Sequence, residues 1–446
     1  MGAAIISVRG TRSSLRGSLR CAVLAASLLV PAAPSSAVTL REELTQLLQS
    51  HPRIKADEYA AKSAAEQVRG AFGGFLPRVD LTGDSGHETI NGPTTRAFDN
   101  NTSSMARKKI TLAATQKLFD GFRAYETYGQ AGLKKEVAER TLDSTRQQLI
   151  LDGISAYYGV LRQARLIEIA VASEQTIRQQ ADLEDERVQR GAGISLDVLF
   201  AKSRLQLSRE NRVALEGALR ELSARYLQVF GHAPDIAALS PPVLELAALP
   251  ASLEEATKTA IENNPGLQAS NRQVDVAEKS RGIAESALYP NVDLVGQVNW
   301  EDNIDAVAGV RRDYSVLVKL SWQLFSGFAA QANIASATLD KSAASETYQY
   351  NRRRISEELG VAWQQLMTAR ERTTVLDNAV ALAEEVFDAR KRLRDAGRET
   401  AINVLDAQSQ VFDARSKFIA ATYDAQLAIF RVLFSMGLLG PDNLGL

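Results

Sequence analysis

Cysteine is nearly missing from this sequence: Cys21 is the only one in 446 residues. A chain so poor in thiols is not a disulfide scaffold and holds no thiolate metal cluster. Histidine is scarce too. His51, His87 and His232 stand far apart, without the spacing that metal ligands share on a helix or hairpin. No glycine-rich phosphate loop and no nucleophile elbow is present. The acid–base pairs follow helix faces, as solvated charges do. Enzyme classes therefore find no support, and no cofactor is implied. Neither charge predominates, with 52 basic against 53 acidic residues, so nucleic acid is not an expected partner. Beyond the N-terminal leader no run of about 18 apolar residues occurs, which predicts no transmembrane helix. A chain of that kind crosses a bilayer only as a closed barrel, because every backbone group in lipid must be paired internally.

The leader is the one segment with a clear targeting pattern. Arg9, Arg12, Arg16 and Arg20 precede a short apolar core that runs from Cys21 to Leu29, and Ser35-Ser36-Ala37 supplies small residues for cleavage. Residues 1–37 read as a secretory signal peptide. Cleavage after Ala37 would remove four arginines and leave 48 basic against 53 acidic residues, a net charge of −5. Cys21 opens the apolar core and is badly placed for a lipid anchor.

What the chain has is a unit written twice. His51-Pro52 matches Asn264-Pro265, and Leu76-Pro77-Arg78-Val79-Asp80-Leu81 matches Tyr289-Pro290-Asn291-Val292-Asp293-Leu294, both at an offset of 213. From Leu118 onward the offset is 206, carrying Leu118 to Leu324, Gly191 to Gly397, Val198 to Val404 and Gly231 to Gly437. The first copy is thus seven residues longer, and all seven fall between its two strands, where length varies in exposed loops. We delimit a first repeat at 38–231, a proline-rich surface linker at 232–250, a second repeat at 251–440 and a tail at 441–446.

Within each repeat the pattern runs helix, strand, loop, strand, long helix, turn, helix. In 290–301, Val292, Leu294, Gly296, Val298 and Trp300 alternate with polar residues; in 314–324, Tyr314, Val316, Val318, Leu320, Trp322 and Leu324 do the same. One face suits lipid and the other water, although a one-face-buried soluble sheet gives the same alternation. Ile110, Leu112, Ala114 and Leu118 keep the pattern in the first copy, while Lys108 and Gln116 interrupt it. Expected strands are 77–89, 107–119, 290–302 and 312–325, with Pro77 and Pro290 at the entries. Four strands do not close a barrel, which takes at least about eight, so several copies must combine. The stretches 123–190 and 329–396 lack proline, and each reaches roughly 100 Å as a helix. Val375, Ala379, Leu382, Val386, Ala389 and Leu393 make a heptad seam. Returning helices at 194–230 and 401–436 are about half as long, so two short helices stacked end to end would flank each long one. At the switch from strand to helix stand Leu118-Phe119-Asp120-Gly121-Phe122 and Leu324-Phe325-Ser326-Gly327-Phe328. A glycine there lets the backbone bend sharply.

These junctions, the duplicated plan, and the two glycine turns followed by Asp197-Val198-Leu199 and Asn403-Val404-Leu405-Asp406 resemble the TolC-like outer-membrane factor family. The resemblance covers essentially all of 38–440. It implies a mixed α and β membrane protein. Three chains would give twelve strands to one β-barrel in the outer membrane and their helices to a coiled-coil tunnel in the periplasm. The implied partners are two further copies, outer-membrane lipid, a periplasmic adaptor and an inner-membrane exporter, ABC type or proton-driven. The implied activity is an exit duct. The LFDGF and AYYGVLRQARL stretches lean towards type I protein secretion, with small-molecule efflux as the alternative. A periplasmic scaffold without a pore is the rival from another class.

The resemblance also assigns roles at the turns, which would form the periplasmic mouth. Two acids three residues apart line its constriction; here Asp406 matches and Asn403 stands at the other position. Asp197 matches the aspartate of a latch between helices. Glu399 occupies the place of the latch arginine, leaving Arg394 or Arg398 to substitute. Gly191, Gly193, Ile194, Leu196, Gly397 and Ile402 would seat the adaptor's hairpin or pack within the subunit. Phe119, Gly121, Phe122, Phe325, Gly327 and Phe328 mark the boundary between barrel and tunnel.

Overall fold

The computed structural model describes residues 39–97, 102–191, 194–241 and 249–444. The signal peptide, Gly193 and linker residues 242–248 lie outside the described residues. The first repeat opens with α1 (Leu40–Ser50) and α2 (Pro52–Phe72), then a 3-10 turn, Gly73–Phe75. β1 (Arg78–Ile90), α3 (Pro93–Ala97), β2 (Ser103–Phe119), α4 (Arg123–Gln189) and α5 (Ser195–Phe230) follow. The second repeat has α6 (Leu253–Asn263), α7 (Pro265–Glu285), a 3-10 turn at Ser286–Leu288, β3 (Asn291–Asp302), β4 (Val310–Ser321), α8 (Ala329–Asp395) and α9 (Ala401–Ser435).

Local chemistry sets these bounds. Thr39 and Glu42 make a reciprocal capping box at the start of α1. Pro52 and Pro265 occupy first helical positions, where a missing N–H costs nothing. The tip turn after α8 is a Schellman motif: Arg398 N–H donates to Leu393 O and Gly397 N–H to Arg394 O, with Gly397 at φ +74°. Pro77 and Pro290 directly precede β1 and β3, where the ladder asks for no donor.

The strands form one antiparallel sheet in the order β1-β2-β3-β4, so β1 and β4 are both edges. Three details correct the expected bounds. β2 begins at Ser103 and not at 107, because Ser103–Ala106 still pair His87–Ile90 of β1. β4 spans Val310–Ser321 and not 312–325, because Ser321 already pairs Asn291 and the next partner would be Pro290, which has no N–H to give. Trp322 instead donates its indole N–H to Leu288 O at 3.1 Å. The short helix α3, unforeseen, sits in the 91–102 connection that makes the first hairpin longer than the second.

Away from the sheet the long helices pack through the short ones. α4 meets α2, α5, α7 and α9, and both α7 and α9 lie against α8 as well. The main core gathers Leu40, Leu44 and Leu47 of α1, Ile150, Ile154 and Tyr157 of α4, and Tyr226 and Phe230 of α5. Two parts of the chain expected to be peripheral join it. Leu444, placed in the tail, is buried there, since an apolar side chain gains about 1.5–3 kcal/mol by leaving water. In the linker, Ser240 exchanges bonds with Tyr157: the phenol donates to its carbonyl at 2.8 Å and accepts from its N–H at 3.2 Å. One further expectation needs correcting. α9 holds an 18-residue window of mean hydropathy 1.2, long and apolar enough by composition to cross a membrane. Asp424 and Arg431 interrupt that end of the helix, and Ala428, Phe430, Val432 and Leu433 are buried against neighbouring helices.

Candidate functional site

Two places carry the chain's special chemistry: the helical tips and the junctions below the sheet. At the tips, α4 and α5 of the first repeat meet α8 and α9 of the second. Glu184 on α4 is only 2% exposed. Arg394, on the last turn of α8, reaches it with two bonds, Nη2 to Oε2 at 2.5 Å and Nε to Oε1 at 3.2 Å. The same guanidinium lies 3.7 Å from Asp197 Oδ2 and donates to Glu399 O at 3.1 Å. Arg187 adds a second cation to Glu184 at 3.2 Å. One arginine thus joins α4, α5 and both ends of the α8–α9 turn. A forked pair of this kind is geometrically specific, and removing either partner would leave the other charge buried without its match.

Of the two arginines expected at this position, Arg394 is the one that contacts the first repeat. Arg398 is exposed and makes no ion pair among the described residues. Glu184 went unnoticed in the sequence; its position, thirteen residues before Asp197 on the other arm of the turn, gave no motif.

Asp406 is paired. Its carboxylate accepts from Arg204 Nη2 on α5 at 2.6 Å, with both side chains partly exposed. Asn403 is turned inward on its own helix start: Nδ2 donates to Glu399 Oε1 at 2.5 Å, and its carbonyl accepts from Arg390 at 3.1 Å. The Asn403 amide and the Thr400 N–H hold the Glu399 carboxyl below its ordinary range. Ile194 and Leu196 are exposed at the α4–α5 turn, whereas Ile402 is half-buried. Gly191, at φ +77°, has open space around it.

At the junctions, Gly121 and Gly327 have φ of +67° and +64°, and Phe122 and Phe328 follow at 65° and 67°. Each junction stacks its own phenylalanine pair edge to face, Phe119 on Phe122 at 5.4 Å and Phe325 on Phe328 at 5.5 Å. Asp120 Oδ2 accepts from Ala124 N–H and Ser326 Oγ from Ala330 N–H, so both helices start on a side-chain acceptor. Their surroundings differ. A Cβ on Gly121 would stand 2.6 Å from Ser286 O and 2.9 Å from Tyr289 Cβ, while one on Gly327 would meet nothing within 4 Å.

The three histidines have structural partners. His51 Nδ1 accepts from Arg53 N–H at the start of α2, His87 bonds Ser104 across β1 and β2, and His232 Nε2 lies 3.1 Å from Glu43. No group of three potential metal ligands occurs among the described residues.

A family model described as outer membrane efflux protein matches residues 44–232 and 256–438. The outer membrane efflux protein BepC of Brucella suis biovar 1 (strain 1330) is 23% identical over 430 residues, 95% of this chain and 91% of that one. The alkaline protease secretion protein AprF of Pseudomonas aeruginosa is 25% identical over 419 residues, covering 90% of this chain and 84% of the relative. Among solved structures, the outer-membrane channel OprN superposes with a TM-score of 0.80 at 19% identity, over 89% of each chain. The chain therefore belongs to the outer membrane efflux protein family, and it is an outer-membrane protein whose helical part projects into the periplasm.

Proposed function

We propose that three copies of this chain close their sheets into one twelve-stranded barrel and their helices into one tunnel, and that this duct is the outer-membrane exit of a tripartite export system. The observation that carries the reading is the contrast between Gly121 and Gly327. Gly121 is covered by Ser286 and Tyr289 of the second repeat. The repeat offset of 213 maps these two residues onto Gly73 and Leu76. Leu76, Phe72 and Phe75 are exposed in the single chain, and so are Phe325 and Phe328 beside Gly327. The first-to-second repeat contact is thus a template for the chain-to-chain contact. The edges β1 and β4 need partners for the same reason. In the helical part, α8 leaves Val375, Leu382, Val386 and Leu393 of its seam exposed, and α5 leaves Leu196, Leu199 and Leu207. Matched apolar seams on two outer helices suit closure by coiled-coil packing. The mass of the detergent-solubilised complex tests this reading: three chains are expected, and a monomer that conducts no ions in a planar bilayer overturns it.

At the mouth, the Arg394–Glu184–Asp197 cluster and the Arg204–Asp406 pair act as the latches that hold the tips together. Exposed Ile194 and Leu196, with the glycine turns, offer an adaptor its seat. For the cargo we favour protein secretion with an ABC-type exporter, supported by the likeness to a protein named for alkaline protease secretion. The likeness to BepC favours the second reading, small-molecule efflux with a proton-driven pump. Deleting the gene separates them: loss of a secreted protein from the medium supports the first, and increased drug susceptibility alone supports the second.

A further inference from the structure

Near the hairpin tips the two faces of the sheet treat their cations differently, although Lys117 and Lys319, at the junction end of the polar face, also make no ion pair among the described residues. On the polar face Arg107 pairs with Asp84 and Glu88, Lys109 with Glu301, and Arg311 with Glu301 and Asp313. The apolar face has the register rows Leu81–Leu112–Val298–Tyr314 and Val79–Ala114–Gly296–Val316. One row further towards the hairpin tips, Ile110 pairs Trp300, and Trp300 pairs Arg312. The next row brings Ser85, Lys108, Asp302 and Val310. Lys108 and Arg312 are both exposed, and neither forms an ion pair among the described residues; Asp302, beside Lys108, is within 4 Å of neither cation.

The position of these cations along the strand matters. From the Val292–Leu320 row to the Trp300–Arg312 row is eight residues, about 27 Å along the strand and about 20 Å of height at the usual barrel tilt. The lipid band of such barrels is about 25 Å tall, so Arg312 stands within about 5 Å of the level where hydrocarbon gives way to headgroups. Lys108 is about 7 Å further along. At the opposite end of the face the one polar interruption, Gln116, donates its amide to Phe75 O and Lys117 O and is thereby satisfied. Unpaired cations occur only at the tip end among the described residues of this face.

We propose that Lys108 and Arg312, flanked by Trp300 and Tyr314, bind the phosphate groups of a phosphorylated glycolipid in the outer leaflet. The inference rests on the barrel reading above, which makes this face lipid-exposed and turns the tips away from the periplasm. Two strand spacings and two residues separate the cations by about 12 Å between backbones. That span suits a headgroup with two phosphates, one to each cation through charge-assisted hydrogen bonds. Tyr314 and Trp300 supply the amphipathic rings that settle at an interface.

The test uses the full assembly in detergent, titrated with bis-phosphorylated lipid A and, separately, with phosphatidylethanolamine, and read by native mass spectrometry. Wild type should retain lipid A at least tenfold better than phosphatidylethanolamine. Lys108→Gln with Arg312→Gln should abolish that preference while ion conductance in planar bilayers stays unchanged. Equal lipid A retention by wild type and the double variant, with conductance intact, overturns the site and leaves the barrel standing. A wild-type protein that does not conduct removes the barrel and the site with it.

Discussion

Gly121 and Gly327 stand at equivalent points of a repeated unit, share the same left-handed backbone and the same phenylalanine pair, and yet one is walled in and the other open. Nearly the same local sequence, differing in Asp120 against Ser326, produced nearly the same local geometry. The difference lies in what packs against it. The first junction is closed by the second repeat of its own chain, and the second repeat has no third to lean on. The tips show the complementary case. There the repeats have diverged, the first supplying Glu184 and Asp197 and the second Arg394, so one chain already completes the Arg394–Glu184–Asp197 cluster. The second junction asks for a neighbour; the first junction and the tips are satisfied within the chain.

The largest expected effect comes from the closed junction. Gly121→Ala pushes a Cβ to 2.6 Å from a carbonyl oxygen and strains a positive φ. Strain of about 1–2 kcal/mol and overpacking of about 1–3 kcal/mol together should abolish folded assembly, read as loss of trimer on a native gel. Gly327→Ala sharpens the comparison. In an isolated chain it should cost only the backbone strain, about 1–2 kcal/mol. If a neighbour's Gly73–Leu76 segment closes over it, trimer yield should fall as far as for Gly121→Ala. A Gly327→Ala trimer melting within a degree or two of wild type would show that the second junction stays open in the assembly.

Next in size is the latch. Arg394→Ala leaves the Glu184 carboxylate buried with Arg187 alone, and breaking a buried pair costs about 3–5 kcal/mol. The tips should open, so hydrogen exchange around 184–197 should accelerate and single-channel conductance should rise. Barrel thermal stability should not move, because the sheet lies at the other end of α8. Equal protection in variant and wild type would mean that the tips are held by packing of Ile177, Ala201 and Leu405 instead.

How much of this contrast was visible in the sequence follows from its physical origin. Periodicity depends on local backbone geometry, so the strands, the long helices and the two glycine bends could be read from the residues. The early end of β4 could not be read from β4 itself, since Pro290 on the paired strand sets it. The junction glycines were legible as bends, but not that one is buried and one open, because that depends on residues more than 160 positions away. At the tips, Asp197 and Arg394 were named, while Glu184 was missed. Its role is set by register between two helices joined through another repeat, and one carboxylate on a charged helix carries no signature. Asp406 was expected as a bare carboxylate in a constriction; its partner Arg204 lies 202 residues away in sequence.

That pair supplies a smaller test. Asp406→Ala removes one partly exposed link, worth under about 1 kcal/mol, and removes a carboxylate from the mouth. Conductance should rise modestly and cation preference should weaken, measured as a shift in reversal potential under a salt gradient. Arg204→Ala separates the two consequences: it breaks the same link and frees the carboxylate, so conductance should rise while cation preference strengthens. Opposite shifts in preference from the two variants put Asp406 beside the ion path, and no shift in either removes it.

The smallest effect should come from acid. Glu174 on α4 is held below its ordinary value of 4.5 by the Arg212 hydrogen bond first, with Arg209 and Arg178 adding to it, and so ties α4 to α5. Glu399 at the α8–α9 turn is likewise held down, by the Asn403 amide. A carboxyl whose folded pKa is depressed contributes stability above its unfolded pKa and loses it as pH falls through the folded one. Both contributions should therefore be whole at pH 7 and fade below about pH 4.5. Because Glu399 is half-buried and Glu174 buried with three arginines on it, the α4–α5 hairpin should lose more protection than the α8–α9 turn. Hydrogen exchange at pH 3.5 against pH 7, corrected for intrinsic rates, reads both arms at once. Greater loosening of the α8–α9 turn would place the weaker tip in the second repeat and reverse the assignment of α4 and α5 as the acid-sensitive arm.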